Sequence, residues 1–314
     1  MSNRRKPLVA KASRADKHLT FLTVTEADRV RELMREALVA RGLTVRVNGN
    51  HLQVPDGPTF GLWNVAALCH GSDPTDHAWR AVVAAHVEKL MYGYVVGDPF
   101  AGLTQDELCS RVYTKLWAEQ HLPDYDIPSV PFAAGLVETL CLDVPGGTTL
   151  ISSDRVDRFG GWDELHALGR ANLAARPFEF MELVPTPVHG HYWRLTGDLY
   201  TASKALLLPD LLPELRDDVP PLADVGMGWL VSMPNRNEIC WHMVQDGAVL
   251  PSLRSLMEHA GEAFNDAPGQ LSTHVFWWSG RDYRQVTYID ALSHLRIGSD
   301  PDFEPLVLGL TDAA

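Results

Sequence analysis

Leu199–Val244 reads LYTASKALLLPDLLPELRDDVPPLADVGMGWLVSMPNRNEICWHMV, and this stretch decides the fold. Its pattern predicts the end of a strand, a short apolar helix, a loop, and then two strands joined by a turn at Pro234-Asn235-Arg236-Asn237. Two strands joined by so short a turn run antiparallel. We therefore expect an antiparallel sheet in this half of the chain.

A second hairpin is indicated near the N-terminus. In Val45–Val54, alternating apolar residues flank Asn48-Gly49, and Asn-Gly is a strong signal for a tight turn. Helical periodicity marks the segments 25–42, 73–90, 103–117, 162–175 and 251–264. Neither a GxGxxG following a strand nor a GxxxxGK[ST] sequence is present, which disfavours Rossmann and P-loop folds. The predicted fold class is α+β, with antiparallel sheets flanked by helices in two subdomains.

The chain divides into four parts on this interpretation. Residues 1–20 are predicted to form a disordered basic arm, 21–120 and 132–290 two α+β subdomains, and 291–314 a loosely packed tail. The proline-rich stretch 121–132 would link the subdomains. Within the second subdomain, Val275–Trp278 is apolar at every position. This predicts a strand buried on both faces, with a partner-binding face as the alternative.

The composition is that of a folded acidic protein. The 314 residues carry a formal net charge of −13, although the first 18 contain six Lys and Arg against one Asp. An acidic body repels phosphate backbones, so we expect no nucleic-acid partner. No window approaches the roughly 18 consecutive apolar residues of a membrane-spanning helix, so no membrane span is expected.

The cysteines and the N-terminus point to a compartment. Cys69, Cys109, Cys141 and Cys240 are widely separated and form no CxxC pair. Both a disulfide-stapled secreted domain and a zinc ribbon require closely spaced cysteines. The basic N-terminus lacks the apolar core of a secretory signal. We predict a cytoplasmic protein with reduced thiols and no cofactor.

Several short motifs occur in a characteristic order along the chain. They are Leu142-Asp143 at a strand end, Ala171-Asn172-Leu173 followed by Pro177, Tyr200-Thr201-Ala202-Ser203, and Val231-Ser232-Met233-Pro234. In this order they resemble the YtpQ-like family of bacterial proteins of unknown function, over residues 25–288. The resemblance implies a similar architecture. Because that family has no assigned catalytic residues, the resemblance transfers none to this chain. This chain departs from the family in its polar turn and in its basic arm.

The turn of the decisive hairpin is the strongest candidate for an interaction site. It presents Asn235, Arg236 and Asn237, and Trp241 follows in the returning strand. Arginine and aromatic residues are enriched at protein interfaces. The alternative is that these residues serve only the turn itself. Catalytic residues are not predicted, so the favoured function is a non-catalytic protein-interaction or regulatory module, with a protein partner or self-association.

Histidines supply an alternative function. His189 and His191 are two apart, so in a strand they would project from one face, and His242 could join them across the sheet as a third metal ligand. Glu238 would then be the general base of a metal-assisted hydrolase. The simpler interpretation is a pair of surface histidines, and we predict no bound metal. Cys240 also shares a strand face with His242, which could lower the pKa of an exposed thiol, but the favoured interpretation is a buried cysteine beside a half-exposed histidine.

Overall fold

The computed structural model describes residues 14–208, 227–291, 294–298 and 300–312. The fold is α+β, with helices and antiparallel sheets, as the sequence predicted. The chain divides into two compact units, Met1–Leu90 and Met91–Ala314. Across the described ranges, no helix has both the length and the apolar character needed to cross a bilayer.

The first unit combines helices with a three-stranded antiparallel sheet. Its elements are α1 (Val24–Val39), β1 (Arg46–Asn48), β2 (His51–Gln53), β3 (Thr59–Gly61), α2 (Trp63–His70) and the first part of α3 (Asp76–Val96). The hairpin at Asn48-Gly49 is confirmed, and Gly49 supplies the positive φ of +61° that this turn needs. The N-terminal cap of α1 is Thr23, in a capping box with Glu26, so this helix begins slightly before the predicted segment 25–42.

Part of the predicted arm is folded. Residues 1–13 lie outside the described residues. Ala15 forms a β-bridge with Thr23, and Asp16 binds the guanidinium of Arg31 at 2.8 Å. Leu19 is completely buried. Residues 14–20 therefore pack with the first unit, because a paired carboxylate and a buried leucine hold them there.

A four-stranded sheet opens the second unit. Its elements and flanking helices are α4 (Gln105–Arg111), β4 (Val112–Ala118), β5 (Ser129–Ala133), β6 (Leu136–Val144), β7 (Gly147–Leu150), α5 (Ser153–Arg158) and α6 (Trp162–Ala175). Strand β6 is central, with β4 on one side and β5 followed by β7 on the other. Helix α6 approaches β4 closely, since a Cβ on Gly169 would lie 2.7 Å from the backbone nitrogen of Thr114.

The predicted helix over 103–117 ends early. The capping box of Thr104 and Glu107 is present, but α4 stops at Arg111 and the chain continues as β4. The run Val112-Tyr113-Thr114 is β-branched and aromatic, which favours a strand over a helix. Lys115 therefore lies on a strand rather than on a helix, and its side chain is buried there.

The second sheet has six antiparallel strands in the order β13-β12-β10-β11-β9-β8. The elements are β8 (Phe180–Pro185), β9 (His191–Thr196), β10 (Trp229–Ser232), β11 (Glu238–Met243), α7 (Val249–Asp266), β12 (Val275–Trp278) and β13 (Tyr283–Gln285). The decisive hairpin is confirmed: β10 and β11 pair antiparallel across the turn at Pro234–Asn237, with Leu230 opposite His242.

Both faces of the six-stranded sheet are covered at its central strands. On one face, Trp277 packs against Phe303 of a C-terminal helix, and α7 adds Leu253 and Leu256 to the same apolar cluster. On the other face, Phe276 belongs to a cluster that includes residues of the four-stranded sheet. The strand Val275–Trp278 is therefore buried on both sides, as predicted.

Two predicted boundaries differ from the structure. The division between the units falls at Leu90 and Met91, whereas the stretch 121–132 lies inside the second unit, where β5 pairs with β6. The described part of the predicted tail is ordered: β14 (Thr287–Ile289) pairs with β15 (Leu295–Ile297), and α8 (Phe303–Asp312) buries Phe303. Burial of its apolar stripe holds this segment on the sheet.

Candidate functional site

The predicted interaction turn is packed inside the second unit. Asn235 is 1% exposed, and its Nδ2 donates to the carbonyl of Ala263 at 3.0 Å while its Oδ1 accepts from the backbone of Asn237. Asn237 Nδ2 in turn donates to the carbonyl of Gly197 at 3.0 Å. These amides satisfy backbone groups of neighbouring segments, so their role is to hold the turn in place.

Trp241 and, in part, Arg236 are also buried in the second unit. Trp241 is completely buried and stacks on Trp193 at 6.5 Å between ring centres. The stem of Arg236 lies against Gly269, and burial lowers the pKa of its guanidinium. Its Nε has no hydrogen-bond partner in the part of the chain that the structure describes. Asn235 and Trp241 are therefore buried while Arg236 and Asn237 are half-buried, which favours the alternative that these residues serve the turn itself. Partner binding at this turn stays a prediction.

The three predicted histidines are only partly brought together. The rings of His191 and His242 meet edge to face, with centres 5.3 Å apart, whereas His189 lies in the exposed turn between β8 and β9 with a φ of +37°. His242 is 2% exposed. Burial, and secondly the charge of His191, lower the pKa of His242 to about 4. His242 is thus a neutral imidazole at physiological pH.

A different cluster has metal-ligand geometry. Across the described residues, one group of three His, Cys, Asp or Glu side chains has its ligand atoms within 4.8 Å of one another: Glu238, Cys240 and His259. His189, His191 and His242 do not form such a group. Glu238 and Cys240 share a face of β11 because they are two residues apart, and α7 places His259 over that face.

Glu238 is the centre of this cluster. Its Oε1 lies 2.5 Å from His259 Nε2, 3.5 Å from Cys240 Sγ and 2.8 Å from Arg194 Nε. Burial opposes ionisation of Glu238, but the hydrogen bond from His259 and the charges of His259 and Arg194 hold its pKa below the usual value. Burial and the adjacent carboxylate raise the pKa of the Cys240 thiol well above its usual value. Without a metal, Cys240 is therefore a protonated thiol rather than a nucleophile.

The other sheet contains a similar carboxylate without a thiol. Glu138 of β6 is buried, and its carboxylate binds His166 at 2.8 Å and, through two contacts, Arg170. Both histidine and arginine come from α6. This arrangement is a complete ion-pair network, and it serves below as a matched control for the Glu238 cluster.

A buried lysine is the least expected feature of the second unit. Lys115 of β4 is 2% exposed, and its Nζ donates to Thr148 Oγ1 at 3.0 Å. The Nζ also lies 5.3 Å from the ring centre of Trp117 and 5.5 Å from that of Tyr200. Burial lowers the pKa of Lys115 to about 8. The aromatic rings and the hydroxyl partly compensate for the lost hydration of the ammonium.

An open sheet edge is the main exposed feature of this unit. Strand β8 ends the six-stranded sheet and pairs only with β9 among the described strands. Phe180, Leu183 and, in the following turn, Val188 are 57%, 49% and 62% exposed. Large apolar side chains beside a free strand edge form a surface to which another chain can add a strand.

Comparisons with protein-family models, with curated proteins and with solved structures found no match. The candidate site residues are therefore identified from their geometry alone.

Sequence reasoning missed two of these features for identifiable reasons. His259 is 21 residues from Glu238, on a helix whose position over β11 no local pattern reveals. Lys115 falls within the helix predicted over 103–117, and a lysine on a surface helix is ordinarily solvated. The alternation of Tyr113, Lys115 and Trp117 is the signal that could have placed this lysine on a buried strand face.

Proposed function

We propose that this chain is a non-catalytic protein-interaction or regulatory module whose contact surface is the open edge formed by β8. The observation that carries the proposal is the unpaired side of this strand, together with the exposed Phe180 and Leu183. The proposal includes a cytoplasmic location, supported by four free cysteines of which three are buried. It retains the resemblance to the YtpQ-like family of bacterial proteins.

The backbone of β8 offers a defined pairing site. Thr186 N–H donates to the carbonyl of Gly190 at 2.9 Å, which fixes that pair as hydrogen-bonded. Since such pairs alternate along an antiparallel ladder, the N–H and C=O of Met181 and Leu183 point away from β9. Pro185 has the same orientation but lacks an N–H, so it limits the length of an added strand.

The occupant that fits this edge is an extended segment of another protein. If two copies of β8 paired Met181 with Leu183, Glu182 would lie directly opposite its own copy. Like charges directly opposite each other destabilise a strand pair. A partner strand with an apolar or basic residue at that position has no such cost. Self-association is therefore the alternative that the experiment must separate.

The experiment is site-specific photo-crosslinking of the full chain in its native host. A photoreactive amino acid replaces Leu183 in one variant and Leu308 in the control. Leu308 is a matched choice because it is also a leucine and is 56% exposed, on α8. We expect a discrete adduct with a second protein at position 183, and none of that mass at position 308.

Two results would overturn the proposal. Absence of any adduct at position 183 would show that the edge is not occupied. An adduct of twice the chain mass, containing only this chain, would show that β8 binds a second copy instead of a partner protein.

The metal-assisted hydrolase near His189, His191 and His242 stays a prediction without a supporting observation. The described residues do not bring the three rings within ligand distance of one another. Its test is activity loss in His191→Ala with hydrolase substrates, and an unchanged activity would reject it.

A further inference from the structure

The geometry points to a binding site for a zinc-class divalent cation, formed by Glu238, Cys240 and His259. These residues offer one carboxylate oxygen, one sulfur and one imidazole nitrogen. Zinc accepts all three ligand types, and three protein ligands leave a fourth position for water. The proposed zinc site does not depend on the proposed binding edge at β8, so disproving one proposal leaves the other standing.

The ligands are held by regular structure rather than by loops. Glu238 and Cys240 project from one face of β11, in the interior of the six-stranded sheet, and His259 projects from α7. The distances from Glu238 Oε1 to His259 Nε2 and to Cys240 Sγ are 2.5 and 3.5 Å. Both contacts are hydrogen bonds, and a cation between the three atoms would replace their protons.

Charge also favours a divalent cation. With Cys240 as a thiolate and Glu238 as a carboxylate, the ligands carry two negative charges, which a divalent ion neutralises in a buried site. Binding releases two protons to solvent, one from the Cys240 thiol and one from between His259 Nε2 and Glu238, so that Nε2 presents a free lone pair while Nδ1 keeps its proton. The ligands are thus assembled and close to neutral before the metal arrives.

Neighbouring residues support the ligands and admit the metal. Arg194 forms an ion pair with the same Oε1 of Glu238, with its Nε 2.8 Å away, so its charge can hold the carboxylate while the second oxygen remains available. Ser232 is completely buried directly opposite Cys240 on β10. The His259 side chain is 19% exposed, which leaves a path from solvent to the site.

Zinc titration of the demetallated full chain tests this site, with a chromophoric chelator as competitor and native mass spectrometry for stoichiometry. We expect one zinc per chain. Cys240→Ser and His259→Gln should each weaken zinc binding by about 100-fold or more, because loss of a direct ligand exceeds the 10–100-fold effect of an outer partner. Cys69→Ser and His166→Gln should leave binding unchanged.

These two controls are matched to the cluster. Cys69 is a buried free thiol in the first unit, and His166 makes the same histidine–carboxylate contact with Glu138. Failure of the wild-type chain to bind zinc, or equal binding by Cys240→Ser, would overturn the site.

A measurement on the unmodified sequence covers the case in which the variants do not fold. Cobalt(II) added to the wild-type chain should give the intense near-ultraviolet absorption of a thiolate–cobalt bond. Cobalt bound without that absorption, or no bound cobalt, would contradict ligation by Cys240.

Discussion

Asn235 Nδ2 donates a 3.0 Å hydrogen bond to the backbone carbonyl of Ala263, and this bond joins the turn after β10 to helix α7. The turn with the most interface-like composition is therefore an internal connection. The surface available to a partner lies at β8, three positions from β10 in the order of the sheet. We therefore expect partner contacts at the edge of β8 rather than at the turn after β10.

Asn235→Ala should destabilise the protein without affecting a partner. The substitution leaves the Ala263 carbonyl and the Asn237 N–H unsatisfied, and each buried unsatisfied group costs about 1–3 kcal/mol. Urea unfolding measures the loss of stability. If Asn235→Ala kept full stability but lost the crosslinked partner, the turn would be a binding surface after all.

The backbone register of β8 predicts different effects for two neighbouring proline substitutions. Val184 N–H faces β9, so Val184→Pro should cost about 1–3 kcal/mol more than Leu183→Pro, whose N–H points outward. Leu183→Pro should nevertheless abolish partner binding, whereas Leu183→Ala should only weaken it. Equal destabilisation by the two prolines in urea unfolding would show that the assigned register is wrong.

His242 should make stability depend on pH between about 4 and 6.5. Burial lowers the pKa of His242 in the folded chain to about 4 from its ordinary value of 6.5. The unfolded state therefore binds a proton first as the pH falls, and stability declines from pH 6.5 toward 4. The slope contributed by one proton is about 1.4 kcal/mol per pH unit.

Unfolding of His242→Gln at several pH values in this range checks the effect. We expect a shallower decline than in the wild-type chain, whereas the exposed His189→Gln should follow the wild type. Identical slopes for His242→Gln and wild type would contradict the buried neutral histidine.

Glu238 should stabilise the fold above its unfolded-state pKa. Because its pKa is lowered in the folded protein, this stability is present at neutral pH and is lost as the pH falls through the folded pKa. Glu238→Gln should cost about 1–3 kcal/mol at pH 7, since it removes the charge that pairs with the partly exposed Arg194 and His259. If the difference in unfolding free energy between Glu238→Gln and the wild type did not shrink at acidic pH, the substitution would act through packing rather than through charge.

The sequence predicted the parts of the fold that depend on local signals. The Asn48-Gly49 turn, the hairpin at Pro234–Asn237 and the apolar strand Val275–Trp278 are all found where periodicity and turn chemistry placed them. The sequence did not predict features that depend on tertiary packing. The capping box at Thr104 predicted where α4 starts but not that the chain turns into a strand after Arg111.

The candidate sites were harder to predict for a physical reason. Exposure of Asn235 and Trp241 depends on which segments pack over the turn, and composition does not determine that. Glu238 and Cys240 were visible as neighbours on one strand face, but His259 joins them only through the docking of α7. The open edge of β8 follows from sheet order, which local patterns leave undetermined.

The photo-crosslinking comparison at Leu183 and Leu308 tests the central claim most directly. The account predicts an adduct with another protein at Leu183, lost in the same variant when Met181 is changed to Pro, and no such adduct at Leu308. The same adduct at both positions, or none at Leu183, would contradict the assignment of β8 as the binding edge.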